Sequence, residues 1–154
     1  ALGEEKRAAG LLPGLLSGLV FAGVNAEPDP ARQDGYLSAE ELQYLDLASC
    51  DLAVLSACQT ALGSERAGNG LISLRRGFAV AGAKTVVSSL WKVDDRAAAA
   101  LMTRFYDNYW REGMEKLEAL YEARLHMLAQ NRAEYQGDAR PSTWGAFVLS
   151  GDWR

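Results

Sequence analysis

The sequence has few of the residues that usually build disulfide frameworks and metal sites. Its 154 residues include two cysteines and one histidine. If Cys50 and Cys58 lie along one extended strand, they are separated by roughly 26 Å, which is too far for a disulfide. One histidine and two distant cysteines also cannot assemble a zinc site. We therefore expect reduced cysteines, no metal and no cofactor, with Cys50 as a small buried side chain.

Clusters of basic residues and long apolar runs are also missing. The formal net charge is -4, and lysine and arginine occur singly or in pairs, which argues against a nucleic-acid partner. No apolar run approaches the roughly 20 residues of a membrane span. The amino end lacks the pattern of a signal peptide. We therefore expect a soluble cytoplasmic protein with no membrane partner, and we expect Ala1 to be a cut within a longer polypeptide.

Two common kinds of site lack their key residues. The glycine-containing loop from Gly63 to Gly70 has no Gly-Lys-Ser/Thr ending, so it does not match a phosphate-binding loop. Ser56 and Ser73 have no evident basic partner, which argues against a serine triad. A nucleotide-binding domain and a serine hydrolase are therefore poor interpretations of this chain.

What the sequence does contain is an alternation of strand and helix patterns. The short apolar run from Leu52 to Leu55 predicts a central strand buried on both faces. A helical pattern that ends at Gly82 follows, and then a β-rich run from Thr85 to Trp91. Strand, helix and strand in this order predict a parallel pair in an α/β fold. We expect one domain over residues 1–154, with 1–14 as a loop or frayed terminus.

The other predicted elements flank this unit. A strand is expected within 15–24, and Ser38 begins a capping-box helix that runs to about Leu45. Asp94 or Asp95 caps a helix that ends at Gly113. A further helix has a predicted core-facing stripe, and a closing strand spans 144–149. The stripe consists of Leu117, Leu120, Tyr121, Leu125 and Leu128, and the aromatic side chains Trp91, Trp144 and Phe147 are also expected in the core.

Cys58 stands where the predicted central strand ends. Ligands of open α/β sheets bind beyond the carboxyl ends of the strands, so a thiol there is placed for chemistry. A cysteine nucleophile needs a base, and His126 is the only histidine. At about 100° per residue His126 falls opposite the predicted apolar stripe and should face solvent. The residues alone thus leave a structural Cys58 and a catalytic Cys58 both open.

Three blocks of the sequence together resemble the CHAT domain, a family of caspase-like cysteine peptidases often joined to tetratricopeptide repeats and distantly related to separases. They are LSACQTALG at 55–63, GLISLRRGFAVAGAKTVVSSLWKVDD at 70–95 and WGAFVLSGD at 144–152. The resemblance implies the caspase-hemoglobinase fold, with three layers and a mainly parallel sheet flanked by helices. It also implies that this chain is the carboxyl-terminal portion, without the upstream strands.

The resemblance assigns roles to individual residues. Cys58 matches the nucleophile, and Ser56 should line the primary specificity pocket. Residues Ser89 to Trp91 should offer a strand edge to an extended substrate, with Asp94 and Asp95 at the rim. Separases place an acidic residue for substrate arginine in the following helix, at a position that here is Ala99.

The family's general base is a histidine in a His-Gly pair upstream of this region, and His126 does not match it. The resemblance therefore implies a cysteine endopeptidase that acts on a protein substrate through a thioester on Cys58. An upstream segment or a separate chain would supply the histidine, so that this chain alone is inactive. A tetratricopeptide-repeat domain is the expected regulatory partner. The alternative is an inactive CHAT-fold module that binds or scaffolds other proteins.

Overall fold

The computed structural model describes residues 17–22, 24–25, 35–56, 67–134 and 136–154. By their contacts these residues fall into two compact units, one within 1–53 and 59–84 and the other within 54–58 and 85–154. The predicted single domain stays a prediction, and the predicted frayed segment 1–14 lies outside the described residues.

A two-stranded sheet and two helices make up the described part of the first unit. Strand β1 (Gly18–Val20) pairs antiparallel with β2 (Tyr36–Ser38), which confirms a strand within 15–24. A side chain at Gly18 would meet the Leu37 carbonyl oxygen at 2.5 Å, so only glycine fits this pair. Helix α1 (Ala39–Leu42) follows directly, and α2 (Ala67–Val80) comes later in the chain.

Residues close in sequence determine where α1 begins and where α2 ends. The Ser38 hydroxyl accepts a hydrogen bond from the Glu41 amide at 3.1 Å, and the Ser38 amide donates to the Glu41 carboxylate at 2.9 Å. This confirms the predicted capping box, although α1 ends at Leu42, earlier than predicted. After α2, Gly82 adopts a left-handed φ of 104°. A Cβ atom at this position would lie 3.0 Å from the Ala48 backbone nitrogen. Glycine therefore ends α2 as predicted.

Cys50 differs from its prediction. It is half-buried, because it belongs to the connection that follows α1 and not to a strand interior. Its amide donates to the Leu47 carbonyl at 2.8 Å, and its carbonyl accepts from the Lys84 amide at 3.0 Å. These two backbone hydrogen bonds of Cys50 hold the connection in place.

The second unit contains a three-stranded sheet in the order β3, β4, β5. Strand β3 (Leu52–Leu55) has its last two residues in this unit, β4 spans Thr85–Ser89 and β5 spans Phe147–Gly151. β4 and β5 are antiparallel, with Ser89 opposite Phe147, so the sheet has mixed orientation. The α/β class is thereby confirmed at its coarse level.

The central strand of this sheet is β4. All five of its residues are buried, whereas β3 alternates, with Ala53 and Leu55 buried and the two residues between and before them half-buried. The prediction that β3 is buried on both faces is therefore wrong. Successive side chains of a strand point to opposite faces, so the face that carries Ala53 and Leu55 is covered and the face that carries Leu52 and Val54 is only partly covered.

The described part of the second unit also contains three helices. Helix α3 (Asp95–Tyr106) continues into a π-helical turn (Asp107–Arg111), and Gly113, with φ of 69°, ends the segment as predicted. Helix α4 (Lys116–Glu134) and the short α5 (Pro141–Trp144) follow. The largest fully buried apolar side chains of this unit are Phe105, Phe147, Leu101, Leu120, Val87 and Val93.

Helix α4 buries a different face from the one predicted. Leu120 is buried as expected, but Leu117 and Tyr121 are about half exposed, at 47% and 55%, and Leu125 is also exposed. The other buried positions of this helix are Lys116, Ala119, Ala123, Met127 and Asn131, most of which are small or polar. Close approach explains this choice, because the Asn108 side chain donates to the Ala119 carbonyl at 3.0 Å and alanine leaves room for that contact.

Two further predictions on side chains have opposite outcomes. His126 is exposed, as predicted. Phe147 is in the core as predicted, but Trp91 is 43% exposed, so its assignment to the core is wrong. β4 ends at Ser89, and Trp91 therefore lies beyond the sheet, where its indole nitrogen donates to the Ser142 carbonyl at 3.2 Å.

Candidate functional site

The carboxyl end of β3 is the place to which the sequence assigned the chemistry. Ser56 follows the strand directly and is exposed. Cys58 and its surroundings at 57–66 lie outside the described residues. The nucleophilic role of Cys58 therefore stays a prediction, and the site is described from the residues that surround the strand end.

An open groove of about 420 Å³ begins beside Ser56. One wall consists of Val54 and Ser56, which are two residues apart and so project to the same side of β3. The other wall is one face of α3, whose lining residues recur three or four apart: Asp95, Ala98, Ala99, Met102 and Tyr106. The structure thus brings together Ser56 and Asp95, two residues that the sequence assigned to substrate binding.

The neighbouring aspartates at the start of α3 have different environments. One carboxylate oxygen of Asp94 accepts hydrogen bonds from the amides of Arg96 at 3.0 Å and Ala97 at 3.2 Å. Asp94 is therefore the helix N-cap, as one of the two sequence alternatives predicted. Asp95 is the first residue of the helix and lines the groove. A negative charge is also favourable at this end of a helix.

The far end of the groove is aromatic. The Tyr106 ring stacks on the Trp110 ring with centroids 4.5 Å apart and an interplanar angle of 14°. Burial raises the pKa of Tyr106, so its phenol stays neutral at and well above neutral pH. Trp110 itself is 69% exposed. The groove therefore has an acidic end at Asp95 and an apolar, uncharged end at Tyr106.

The sequence did not identify this second end. The helical spacing of the sequence places Met102 and Tyr106 in an apolar stripe with Leu101, Phe105 and Tyr109, and Met102 does contribute to the core. The available signal was the spacing of Asp95, Ala99, Met102 and Tyr106, which repeats at four, three and four residues and defines one continuous helix face. Two alanines in the middle of such a face leave the space that forms a groove.

Ser89 and Trp91 are not among the described residues that line the groove. Ser89 is buried, its backbone is in register with Phe147, and the next amide, that of Leu90, donates to the Ala146 carbonyl at 2.8 Å. The side of β4 that faces β5 is therefore occupied up to Leu90. β3 is the neighbour of β4 on its other side. A substrate strand of the kind predicted for Ser89 to Trp91 would therefore have to pair with residues beyond both neighbouring strands.

The hydroxyl groups of Ser88 and Ser89 are notable for their hydrogen bonding. Both hydroxyl oxygens are buried, and neither has a hydrogen-bond partner within the described ranges of the chain. An unmet buried hydroxyl is costly, so a partner group is expected at the end of β4.

Across the described ranges, no group of three or more histidine, cysteine, aspartate or glutamate side chains is arranged to hold a metal ion. None of the helices in those ranges has the length and apolar character needed to cross a membrane.

Comparison with known proteins agrees with the resemblance that the three sequence blocks indicate. The family model for the CHAT domain matches residues 11–152. Tetratricopeptide repeat protein 28 of Mus musculus is 34% identical over 122 residues, which cover 79% of this chain and 5% of that protein. The Homo sapiens protein of the same name is 32% identical over the same shares. The chain spans about a twentieth of the length of these curated relatives and, by the extent of the family match, belongs to the CHAT domain family, which is related to the caspase-like peptidases.

Proposed function

We propose that this chain is the nucleophile-bearing portion of a caspase-like cysteine endopeptidase that cleaves a protein substrate. The observation that carries the proposal is the groove at the end of β3, which both Ser56 and Asp95 line. Ser56 precedes Cys58 by two residues in the sequence. A peptidase needs its binding pocket beside its nucleophile. Membership of the CHAT family supports the same reading.

The reaction would proceed in two steps. The Cys58 thiol gives its proton to an imidazole and attacks the carbonyl carbon of the scissile peptide bond. The carbon–nitrogen bond breaks, the leaving amine takes the proton from the imidazolium, and the acyl group remains as a thioester on Cys58. Water, deprotonated by the same imidazole, then hydrolyses the thioester and restores the thiol. Backbone amides would stabilise the oxyanion in both steps.

We propose that the imidazole comes from outside this chain. His126 is the only histidine in the chain, and it is exposed on α4. We propose that an upstream segment, or a separate chain, adds a strand beside β3, which stands at one end of the described strand order. A parallel strand there would end at the same edge as β3 and present its terminal residue near Cys58. That addition would also complete the three-layer caspase-hemoglobinase fold.

Substrate preference is proposed to depend on Asp95. Asp94 is committed to two amides of the helix end, whereas the Asp95 carboxylate lines the groove beside Ser56. A basic side chain has an apolar stem and a cationic end, which suits a groove with mostly apolar walls and one carboxylate. We propose a basic residue as the preferred anchor.

The expected partner beyond the substrate is a tetratricopeptide-repeat region. The two relatives are named for such repeats, and each extends far beyond the matched 122 residues. We propose that repeats of this kind, in the same polypeptide or in another, control access of the substrate to the groove.

The alternative function is a CHAT-fold module that binds or scaffolds proteins without cleaving them. The observation in its favour is that the chain's single histidine lies on a solvent-exposed helix face and matches no part of the family pattern. Under this alternative the groove would bind a peptide, and Cys58 would have no unusual reactivity.

The deciding experiment uses an electrophilic peptide probe on the polypeptide that includes the upstream segment. Mass spectrometry of the labelled protein should locate the adduct on Cys58, and Cys58→Ala should abolish both labelling and cleavage while leaving the circular dichroism spectrum unchanged. Labelling on Cys50, or no labelling while a peptide still binds, would instead support the scaffold.

A further inference from the structure

The groove is longer than one side chain needs. Its α3 wall extends from Asp95 to Tyr106, a distance of roughly 16 Å at 1.5 Å per helical residue. An extended lysine or arginine side chain anchored at Asp95 would occupy less than half of that length. The remaining part, beside Met102 and Tyr106, is a separate surface with its own chemistry.

This second surface is apolar and held in place. Met102 is nearly buried in the helix contact, and the Tyr106 ring is fixed between Trp110, at 4.5 Å, and Phe105, at 5.2 Å. An aromatic ring with a fixed orientation is a favourable contact for another large apolar or aromatic side chain. The π-helical turn at Asp107–Arg111 sets the position of Trp110, and such turns often occur at functional sites.

From these two ends we infer that the groove binds an extended peptide segment with two anchors on the same face: a basic side chain at Asp95 and a large apolar or aromatic side chain at Met102 and Tyr106. The inference rests on the proposed function for the basic anchor and adds a second specificity surface to it. The small side chains of Ala98 and Ala99 leave room between the anchors for the backbone of the bound segment.

The dimensions determine the spacing of the anchors. Along an extended chain, side chains on one face recur every second residue, and four residues span about 13 Å. Met102 lies roughly 10 Å and Tyr106 roughly 16 Å from Asp95 along the helix axis. An anchor about four positions from the basic residue therefore falls between the two, whereas one about three positions away points to the opposite face.

The test measures peptide binding by fluorescence anisotropy to the full-length polypeptide that carries Cys58→Ala, which prevents turnover. Labelled peptides contain one arginine and one phenylalanine, separated by three, four or five positions in either order, in an otherwise small and polar background. We expect the peptide with the four-position spacing, in one of the two orders, to bind at least about tenfold more tightly than the others, because only it places both anchors in the groove.

A pair of variants tests whether this binding occurs in the groove. Ala99 and Ala100 are both exposed, adjacent residues of α3, but only Ala99 lines the groove. Ala99→Trp should fill the middle of the groove and remove the preference for spacing, whereas Ala100→Trp should leave it unchanged. The spacing series on the protein without these changes remains decisive if Ala99→Trp fails to fold.

The outcomes separate this inference from the proposed function. Binding without a preference for spacing, or a preference that survives Ala99→Trp, would overturn the two-anchor groove even if Cys58 cleaves peptides. A spacing preference without any cleavage by the protein that retains Cys58 would support the groove and overturn the peptidase. If the 154-residue chain binds the peptides but the full-length polypeptide does not, another segment of the same protein occupies the groove, and the inference is wrong.

Discussion

At the scale of single residues, Asp94 and Asp95 show how adjacent identical side chains can serve different purposes. The capping role of Asp94 was predictable from sequence, since a helix pattern preceded by aspartate signals an N-cap. Which of the two carboxylates caps and which lines the groove was not predictable. That choice depends on the backbone angle at Asp94, with ψ of 136°, which turns its side chain back to the helix amides.

The two aspartates should respond differently to removal of the carboxylate. Asp94→Ala should lower the free energy of unfolding by about 1 kcal/mol, because two helix amides lose their acceptor. Asp95→Ala should change it by less than about 0.5 kcal/mol, since the residue is exposed. Urea denaturation of the two variants measures the difference. Equal losses would mean that Asp94 does not act as a cap.

Two variants that each replace one aspartate by asparagine test the role of Asp95 in substrate preference. Asp95→Asn should lower kcat/KM about tenfold for substrates with a basic anchor and leave substrates with a neutral anchor nearly unchanged, because a partly desolvated ion pair is lost. Asp94→Asn is the matched control. It removes one negative charge at the adjacent position, and the asparagine side chain can still accept the N-cap hydrogen bonds. Similar effects of both variants would indicate a general field effect and would remove Asp95 from the binding site.

At the scale of elements, α4 shows the limit of hydrophobic periodicity. The pattern of large apolar residues predicted the wrong face because it gives alanine little weight. The buried positions instead include the small residues Ala119 and Ala123, and the Asn108 side chain, from the π-helical turn, donates to the Ala119 carbonyl. The capping box at Ser38 and the glycine at Gly82 were predictable, since both depend on interactions within a few residues of the chain.

Two leucines of α4 provide a direct test of this orientation. Leu120→Ala should cost about 2–5 kcal/mol of stability, because Leu120 is fully buried and its removal leaves a cavity. Leu125→Ala makes the same chemical change at an exposed position and should cost less than about 0.5 kcal/mol. Chemical denaturation with a constant m-value checks both. Large losses for both variants would instead support the face that the periodicity predicted, because that face contains both leucines.

At the scale of the whole molecule, the sequence predicted the strands that begin at Leu52 and Thr85 better than it predicted the burial of the first of them. The blocks at 55–63 and 70–95 placed a strand end, a second strand and an acidic helix start in sequence, and the structure shows Ser56 and Asp95 in one groove. Burial of β3 could not be inferred in the same way, since it depends on what packs over each face of the assembled sheet. The apolar run was correctly identified, but its neighbours are a property of the assembled sheet.

The position of β3 leads to a prediction about the upstream segment. β4 has a neighbour on each side and five buried residues, whereas β3 stands at one end of the described order with two half-buried residues. Backbone amides at such an end exchange with solvent through small local openings. In the 154-residue chain, amides of β3 should therefore exchange faster than those of β4. If the upstream segment adds a strand there, the longer polypeptide should slow exchange in β3 specifically.

Strand β5 provides the internal control for this measurement, because it stands at the other end of the strand order and pairs with β4. Hydrogen exchange followed by mass spectrometry should show slower exchange at 52–55 in the longer polypeptide and unchanged exchange at 147–151. Slower exchange in both strands would indicate general stabilisation, and unchanged exchange in β3 would rule out strand addition. A base brought to Cys58 by that route requires the first outcome, so this measurement tests how the active site is completed independently of any substrate.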